Sequence, residues 1–214
     1  MNFTDKALEL EKVKKAMEND KTLPLISKPT DIIPGDGNPN SEIVFIGEAG
    51  GYHESVQRKP FVGNAGMLLN QLLSLINWPR ESVYITNMVK TRPPNNRDPL
   101  PEELKVFGKY LDREIEIINP KLVVTLGRFS MAKFFPGVFI SSVHGKPKVV
   151  NWNNKEITVV PMYHPAAALR STDIKFKLKN DFLELPEILT SVKNQKKDDK
   201  MDMKDKKIEQ MNLI

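Results

Sequence analysis

Four short apolar runs constrain this chain more than any other feature: IVFIG at 43–47, SVYITNMV at 82–89, KLVVTLG at 121–127 and ITVVPMY at 157–163. Each is short, rich in β-branched residues and runs directly into a turn. The segments between them carry apolar residues at helical spacing. Strands that alternate with helices form a parallel sheet through right-handed crossovers, with helices on both faces. A strand covered on both faces needs no polar side, which is why these runs are mostly apolar without alternation. The pattern predicts an α/β fold, a three-layer α/β/α sandwich with a mainly parallel central sheet. Ligands of such sheets gather at the carboxyl ends of the strands. The loops GEAGGYHE, NMVKTRPPNNR and HPAAALR stand at those ends.

Helices are predicted over 3–18, 64–77, 101–118, the short RFSMAKFF and 174–190. Pro101 with Glu102 and Glu103 marks the first turn of the third. Residues 19–41, rich in Pro, Gly, Asp and Asn, read as a loop. PKVVNWNNKEITVV reads as a hairpin turning at Asn153 and Asn154. With 214 residues, 40% of them hydrophobic, the chain can build one core but not two. Residues 1–190 are expected to form one domain. Residues 191–214, dominated by Lys, Asp and Met, are expected to be a charged, disordered tail. No apolar run reaches the roughly 18 residues of a membrane span, and the charged amino terminus lacks a signal peptide's apolar block. A soluble, intracellular protein with no membrane partner is expected.

The formal net charge of +5 suits a polyanionic partner without requiring one. The absence of cysteine excludes disulfides, thiolate nucleophiles, zinc–thiolate sites and thiolate-held clusters. His53, His144 and His164 match no metal-motif spacing. No cofactor or metal is expected.

The three loops carry chemistry that each string alone leaves open. Glycines around Glu48 let the backbone approach a ligand and expose N–H donors, or form a plain strand-to-helix turn. Glu54 can orient or activate a water, or be a surface charge. Phe61 offers a flat face on which an extruded base can stack, or it staples the helix that follows. The Asn87 amide carries both a donor and an acceptor, which suits a pyrimidine edge and rejects cytosine but not thymine; the same residue is ordinary turn chemistry. His164 can meet an anion forming on a leaving base, or be structural. Leu169 and Arg170 pair an apolar wedge with a cation, fit to fill an emptied base stack and hold phosphate, or they are an exposed helix start. Lys90, Arg92 and Arg97 flank a rigid Pro-Pro-Asn-Asn segment that can grip a phosphate backbone; a solvated loop is the alternative.

In order and spacing, the strings GEAGG-x2-E, PFVGNAGMLL, YITNMVKTRPPNNRDPLP, PKLVVTLG and MYHPAAALR resemble the family 4 uracil-DNA glycosylases, from about residue 20 to about residue 190. The resemblance implies the three-layer fold of the uracil-DNA glycosylase superfamily. It implies hydrolysis of the N-glycosidic bond of uracil in DNA, an abasic site and free uracil as products, and base excision repair as the setting. Uracil-containing DNA is the implied partner, met by a monomer in the cytoplasm, at the nucleoid or in another DNA compartment. Glu48 and Glu54 match acidic residues that the family needs for activity. Phe61 matches the aromatic that stacks on uracil, Asn87 the amide that reads its edge, and His164 the histidine that steadies the departing charge. Gly47 and Ala49 belong to the same uracil pocket. Leu169 and Arg170 lie in the segment that enters DNA. Some related families place Asp at the position of Ala49, so the water-activating residue stays open, Glu54 first and Glu48 second.

Two departures accompany the resemblance. The family holds a 4Fe–4S cluster on four cysteines, and Asp20, Leu23, Thr91 and Phe107 stand at those positions. Leucine, threonine and phenylalanine are no thiolate ligands. An apolar or hydrogen-bonded plug is expected instead, with consequences for loop order more than for chemistry. Gly50 stands where the family usually has Pro, which is expected to loosen the turn by about 0.4–1 kcal/mol. These departures keep open an alternative, a catalytically weak or inactive DNA-binding protein of the same fold. Wider base specificity is not excluded either. Gln210 and Leu213 weakly resemble a sliding-clamp-binding peptide without its aromatic pair, which suggests a weak clamp contact through the tail.

Overall fold

The computed structural model describes the backbone of residues 3–211 and the side chains of residues 3–195. In chain order the elements are α1 (Phe3–Asn19), β1 (Asp36–Gly37), β2 (Ile43–Gly47), α2 (Tyr52–Gln57), α3 (Asn64–Leu75), β3 (Tyr84–Asn87), α4 (Pro101–Ile118), β4 (Leu122–Leu126), α5 (Arg128–Ala132), α6 (Ile140–Val143), β5 (Lys148–Trp152), β6 (Lys155–Met162), α7 (Pro165–Ala168) and α8 (Thr172–Met211). They form a sheet in the order β1-β3-β2-β4-β6-β5. Strands β3, β2, β4 and β6 are parallel, with β1 and β5 antiparallel at the two edges. The four apolar runs are the four parallel strands.

Alternation along each strand divides the core into two layers. Ile43, Phe45, Val124 and Val160 pack beneath α3 and α8, where Phe45 stacks on Phe182 with ring centroids 5.8 Å apart. Val44, Ile46, Val123 and Val159 face the other way, onto Leu111, Ile115 and Ile118 of α4. Helix α1 packs into a third cluster through Val13 and Met17, which meets α4 at Phe107 and Ile117. Its predicted stripe is wider than its contact, since Phe3 and Leu8 are exposed. The hairpin turns where expected. Asn153 and Asn154 both have positive φ, 48° and 59°, the backbone of a type I′ turn that Asn tolerates.

The short elements escaped the sequence. Strand β1 lies inside the predicted loop 19–41, and α2 begins within GEAGGYHE and runs on to Gln57; neither is long enough to show a period. Helix α8 continues past the expected end at 190 as far as Met211, so the backbone of 191–211 is helical where an unstructured tail was expected. Lys, Met, Glu and Gln in that segment all have high helix propensity. Of the sliding-clamp peptide read at Gln210 and Leu213, the described residues include only the backbone of Gln210, and Leu213 lies outside them. No helix among the described residues is long and apolar enough to cross a membrane.

Candidate active site

Chain direction switches at β2, whose neighbours β3 and β4 follow it in sequence on either side. A crevice opens at the carboxyl ends of such strands. Here it is a cleft of about 360 Å³ lined by residues that include Glu48, Phe61, Asn87 and His164. That volume lies within the roughly 300–1,000 Å³ of small-ligand sites.

The floor comes from strand register. Gly47 and Asn87 are paired neighbours at the ends of β2 and β3. A Cβ at 47 would lie 2.4 Å from Asn87 Oδ1 and 2.6 Å from the Phe61 ring, so only glycine lets both groups converge there. Asn87 is buried, and its Oδ1 has no hydrogen-bond partner. A buried acceptor left unpaired costs about 1–3 kcal/mol, and this one belongs to a residue that lines the cleft.

Phe61 is held in a left-handed conformation, φ 53°, by several independent bonds. Glu54 Oε1 accepts from the backbone N–H groups of Val62 at 2.9 Å and Gly63 at 2.7 Å. Glu54 Oε2 accepts from Gly51 N–H at 3.1 Å, capping α2. Arg80 donates to the carbonyls of Phe61 at 3.1 Å and Pro60 at 2.6 Å. Gly66 lets α3 press against this turn, since a Cβ there would meet Phe61 O at 1.9 Å. Arg80 was missed in the sequence. It follows Trp-Pro in a segment with no motif, and only the fold brings it to residue 61.

His164 ends the strand-to-helix turn after β6 and stacks against Phe61, with ring centroids 5.6 Å apart. Its Nδ1 accepts a hydrogen bond from Ala166 N–H at 3.1 Å. The proton of the neutral ring is therefore on Nε2. Burial drives the imidazole pKa down to about 4, against the pull of the Glu54 charge. His164 thus stays neutral at ordinary pH and presents an N–H. The Glu48 carboxylate takes no hydrogen bond from the described residues, and burial raises its pKa, followed by the charge of Asp98; Arg128 opposes both. Of the two acidic residues, Glu54 is committed to backbone donors, and Glu48 is the carboxylate free to meet a water.

The basic loop is a correction. Lys90 is fully buried, paired with Glu114 and bonded to Thr86, and cannot reach a phosphate backbone. The charge sits on the α4 side of the sheet, where Glu114 of that helix compensates it. Arg97 forms a two-pronged bond with Glu103, at 2.6 and 2.9 Å, which fastens the loop to α4. Arg92 bonds Asn96 at 2.8 Å and lies over the Tyr52 ring. Leu169 and Arg170 are exposed, and Arg170 forms no ion pair among the described residues.

The residues at the family's cluster positions do not fit an iron–sulfur cluster. Leu23 and Phe107 are buried in one apolar cluster with Val13, Met17, Ile32 and Val89. Asp20 accepts from the Thr22 hydroxyl and N–H, from Tyr110 and from Lys109, the last at 3.2 Å, and these bonds, the Thr22 hydroxyl's foremost, hold its carboxyl far below the usual range. Thr91 is buried, and its carbonyl accepts from Gly50 N–H at 3.2 Å. The plug is thus apolar inside and hydrogen-bonded at its rim, and it ties the catalytic turn to the chain at 91. Gly50 has its own compensation, since a Cβ there would lie 2.2 Å from Ile33 Cδ1. Gly50→Pro is therefore expected to cost about 1–3 kcal/mol through the lost N–H bond, rather than to stabilise. Urea midpoints measure this, and Ile33→Val in the same chain should recover the steric part.

Residues 34–185 match the model of the family described as the uracil DNA glycosylase superfamily. A Type-4 uracil-DNA glycosylase of Sulfurisphaera tokodaii is 43% identical over 190 residues, 86% of either chain. Its counterpart in Archaeoglobus fulgidus is 46% identical over 165 residues, 74% of this chain and 82% of the relative. That of Saccharolobus solfataricus is also 46% identical over 165 residues, with 76% of the relative covered.

Proposed function

The chain belongs to the uracil DNA glycosylase superfamily, and from that membership we infer that it is a monofunctional uracil-DNA glycosylase of base excision repair, which binds DNA and hydrolyses the N-glycosidic bond of uracil. The reading includes a monomer working in the compartment that holds the DNA. Free uracil and an abasic site are the products.

The observation that carries the reading is the unpartnered Oδ1 of Asn87 beside the Phe61 ring. Uracil brings an N3–H to that acceptor and an O4 to the amide's N–H. Cytosine brings an acceptor at N3 and an amino group at C4, so both contacts fail. An extruded uracil stacks on Phe61 against the backbone of Gly47 and Ala49. As the C1′–N1 bond lengthens, its electron pair moves into the uracil ring, and the Nε2–H of His164 meets the charge that builds on a uracil carbonyl oxygen. Ionised Glu48 orients a water and takes its proton as the new C–O bond forms at C1′. Glu54 is a positioning residue, holding Phe61 and the turn at Gly51. Leu169 and Arg170 enter the DNA beside the emptied position.

An oligonucleotide with one uracil, incubated with the protein and then treated with alkali, is expected to break at the uracil. A strand with cytosine at that position stays whole. An unbroken uracil strand overturns the reading. The pH dependence assigns the base. Glu48 must be ionised and its pKa is raised, so the rate falls as pH drops through a value above 4.5. His164, already neutral above about 4, adds no inflection near 6.5. Glu48→Gln should remove the acid limb and slow release by about 10²–10⁴-fold. A limb that survives in this variant would return the role to Glu54.

A further inference from the structure

Beyond Glu48 and His164 the cleft continues into a second chamber of about 480 Å³, walled in part by Arg128, Arg170, Tyr163 and Ile140. Base recognition uses neither arginine. Arg170 is exposed and without an ion pair among the described residues, next to Leu169, itself 49% exposed. Arg128 pairs with Asp98, and the two side chains are 62% and 67% exposed. The Phe129 ring supports the guanidinium from 4.0 Å. An ion pair this exposed is weak and easily exchanged. A phosphodiester offers the same guanidinium two oxygens in fork geometry.

We propose that this second chamber receives a phosphodiester next to the extruded uridine, that Arg128 and Arg170 clamp it, and that Asp98 holds Arg128 in place until the DNA displaces it. The inference rests on the glycosylase reading above. Three features support it. The chamber shares Glu48 and His164 with the base pocket, so a phosphate in it belongs to the same strand as the base being cut. The two arginines are the cations of that wall, while Lys90 and Arg97 of the basic loop are committed to Glu114 and Glu103. Asp98, an exposed acid on a DNA-facing wall, repels phosphate unless it serves another purpose. Holding the guanidinium at the rim is such a purpose, and it costs little to reverse. Glu48 senses both partners, Asp98 raising its pKa and Arg128 lowering it, which agrees with the chamber's position beside the reacting bond.

The test is the KM for a short single-stranded oligonucleotide with one uracil, measured at several KCl concentrations. Arg128→Ala and Arg170→Ala should each raise KM roughly tenfold, the scale of one charge-assisted hydrogen bond, with a smaller effect on kcat. Each should also reduce the slope of log KM against log salt by about 1. Asp98→Asn should lower KM, and only when Arg128 is present. Uracil release by the parent protein in the same assay tests the glycosylase reading separately. If the parent releases uracil and Arg128→Ala leaves KM and slope unaltered, the clamp is overturned and the glycosylase stands. If Asp98→Asn leaves KM unchanged or raises it, Asp98 is a structural brace and its proposed role is overturned.

Discussion

Replacing His164 by asparagine is expected to slow single-turnover release of uracil by about 10²–10³-fold, the usual cost of removing one donor to a developing oxyanion, with little change in stability. The argument rests on a hydrogen bond outside the reaction. Ala166 N–H donates to Nδ1, which forces the ring proton onto Nε2, and burial keeps the ring uncharged down to about pH 4. A neutral donor stabilises the departing anion without giving up a proton. Asparagine is a strong N-cap residue and retains an acceptor for Ala166 N–H, so α7 stays capped. Its shorter amide does not reach as far as Nε2. Quench-flow release from an oligonucleotide measures the rate, and thermal melting tests the cap. A loss smaller than about tenfold would mean that backbone donors carry the charge by themselves.

Lys90→Ala is expected to destabilise the fold by about 3–5 kcal/mol, because it strands the Glu114 carboxylate in the interior. Glu114 also accepts from Thr86 Oγ1 at 2.9 Å, and burial lowers the proton affinity of Lys90 against the attraction of Glu114. Replacing both charges, Lys90→Met with Glu114→Leu, should recover more than half of the loss, since a well-packed apolar pair avoids the desolvation of two ions. The change is read from the urea midpoint at constant slope. If Lys90→Ala cost less than about 1 kcal/mol and instead flattened the salt dependence of DNA binding, Lys90 would be a surface residue and the packing described for β3 and α4 would be wrong. The pair also bears on the site. The Lys90 carbonyl accepts from Ile33 N–H at 2.7 Å, and Ile33 fills the space above Gly50.

Most of the fold was legible because it rests on local patterns. Strands β2, β3, β4 and β6 are almost wholly buried on both sides, and α3 and α4 follow their predicted ranges to within two residues. The hairpin was legible because two adjacent asparagines accept positive φ. The parts that were not legible are short. Helix α2 has six residues, under two turns, too few to display a period. It exists because the Glu54 carboxylate caps its own amino terminus and the Phe61 turn together.

Residue types, order and spacing were enough to assign the three layers and the strand ends as the place of the site, while Phe61, Asn87 and His164 were joined into one pocket only through the resemblance to the family. A strand end aims its loop in a known direction, so side chains on adjacent strand ends meet whatever else the chain does. Charge was different. Glu48 and Glu54 look alike in sequence, as do Lys90 and Arg170, yet one of each pair is committed and the other is available. That division follows from desolvation and from partners far along the chain: Glu114 for Lys90, the backbone at 62–63 for Glu54, and none among the described residues for Arg170. The energy of a charge depends on what surrounds it within a few ångströms, and only packing of the sheet against α4 and of the Phe61 turn against α2 supplies those surroundings.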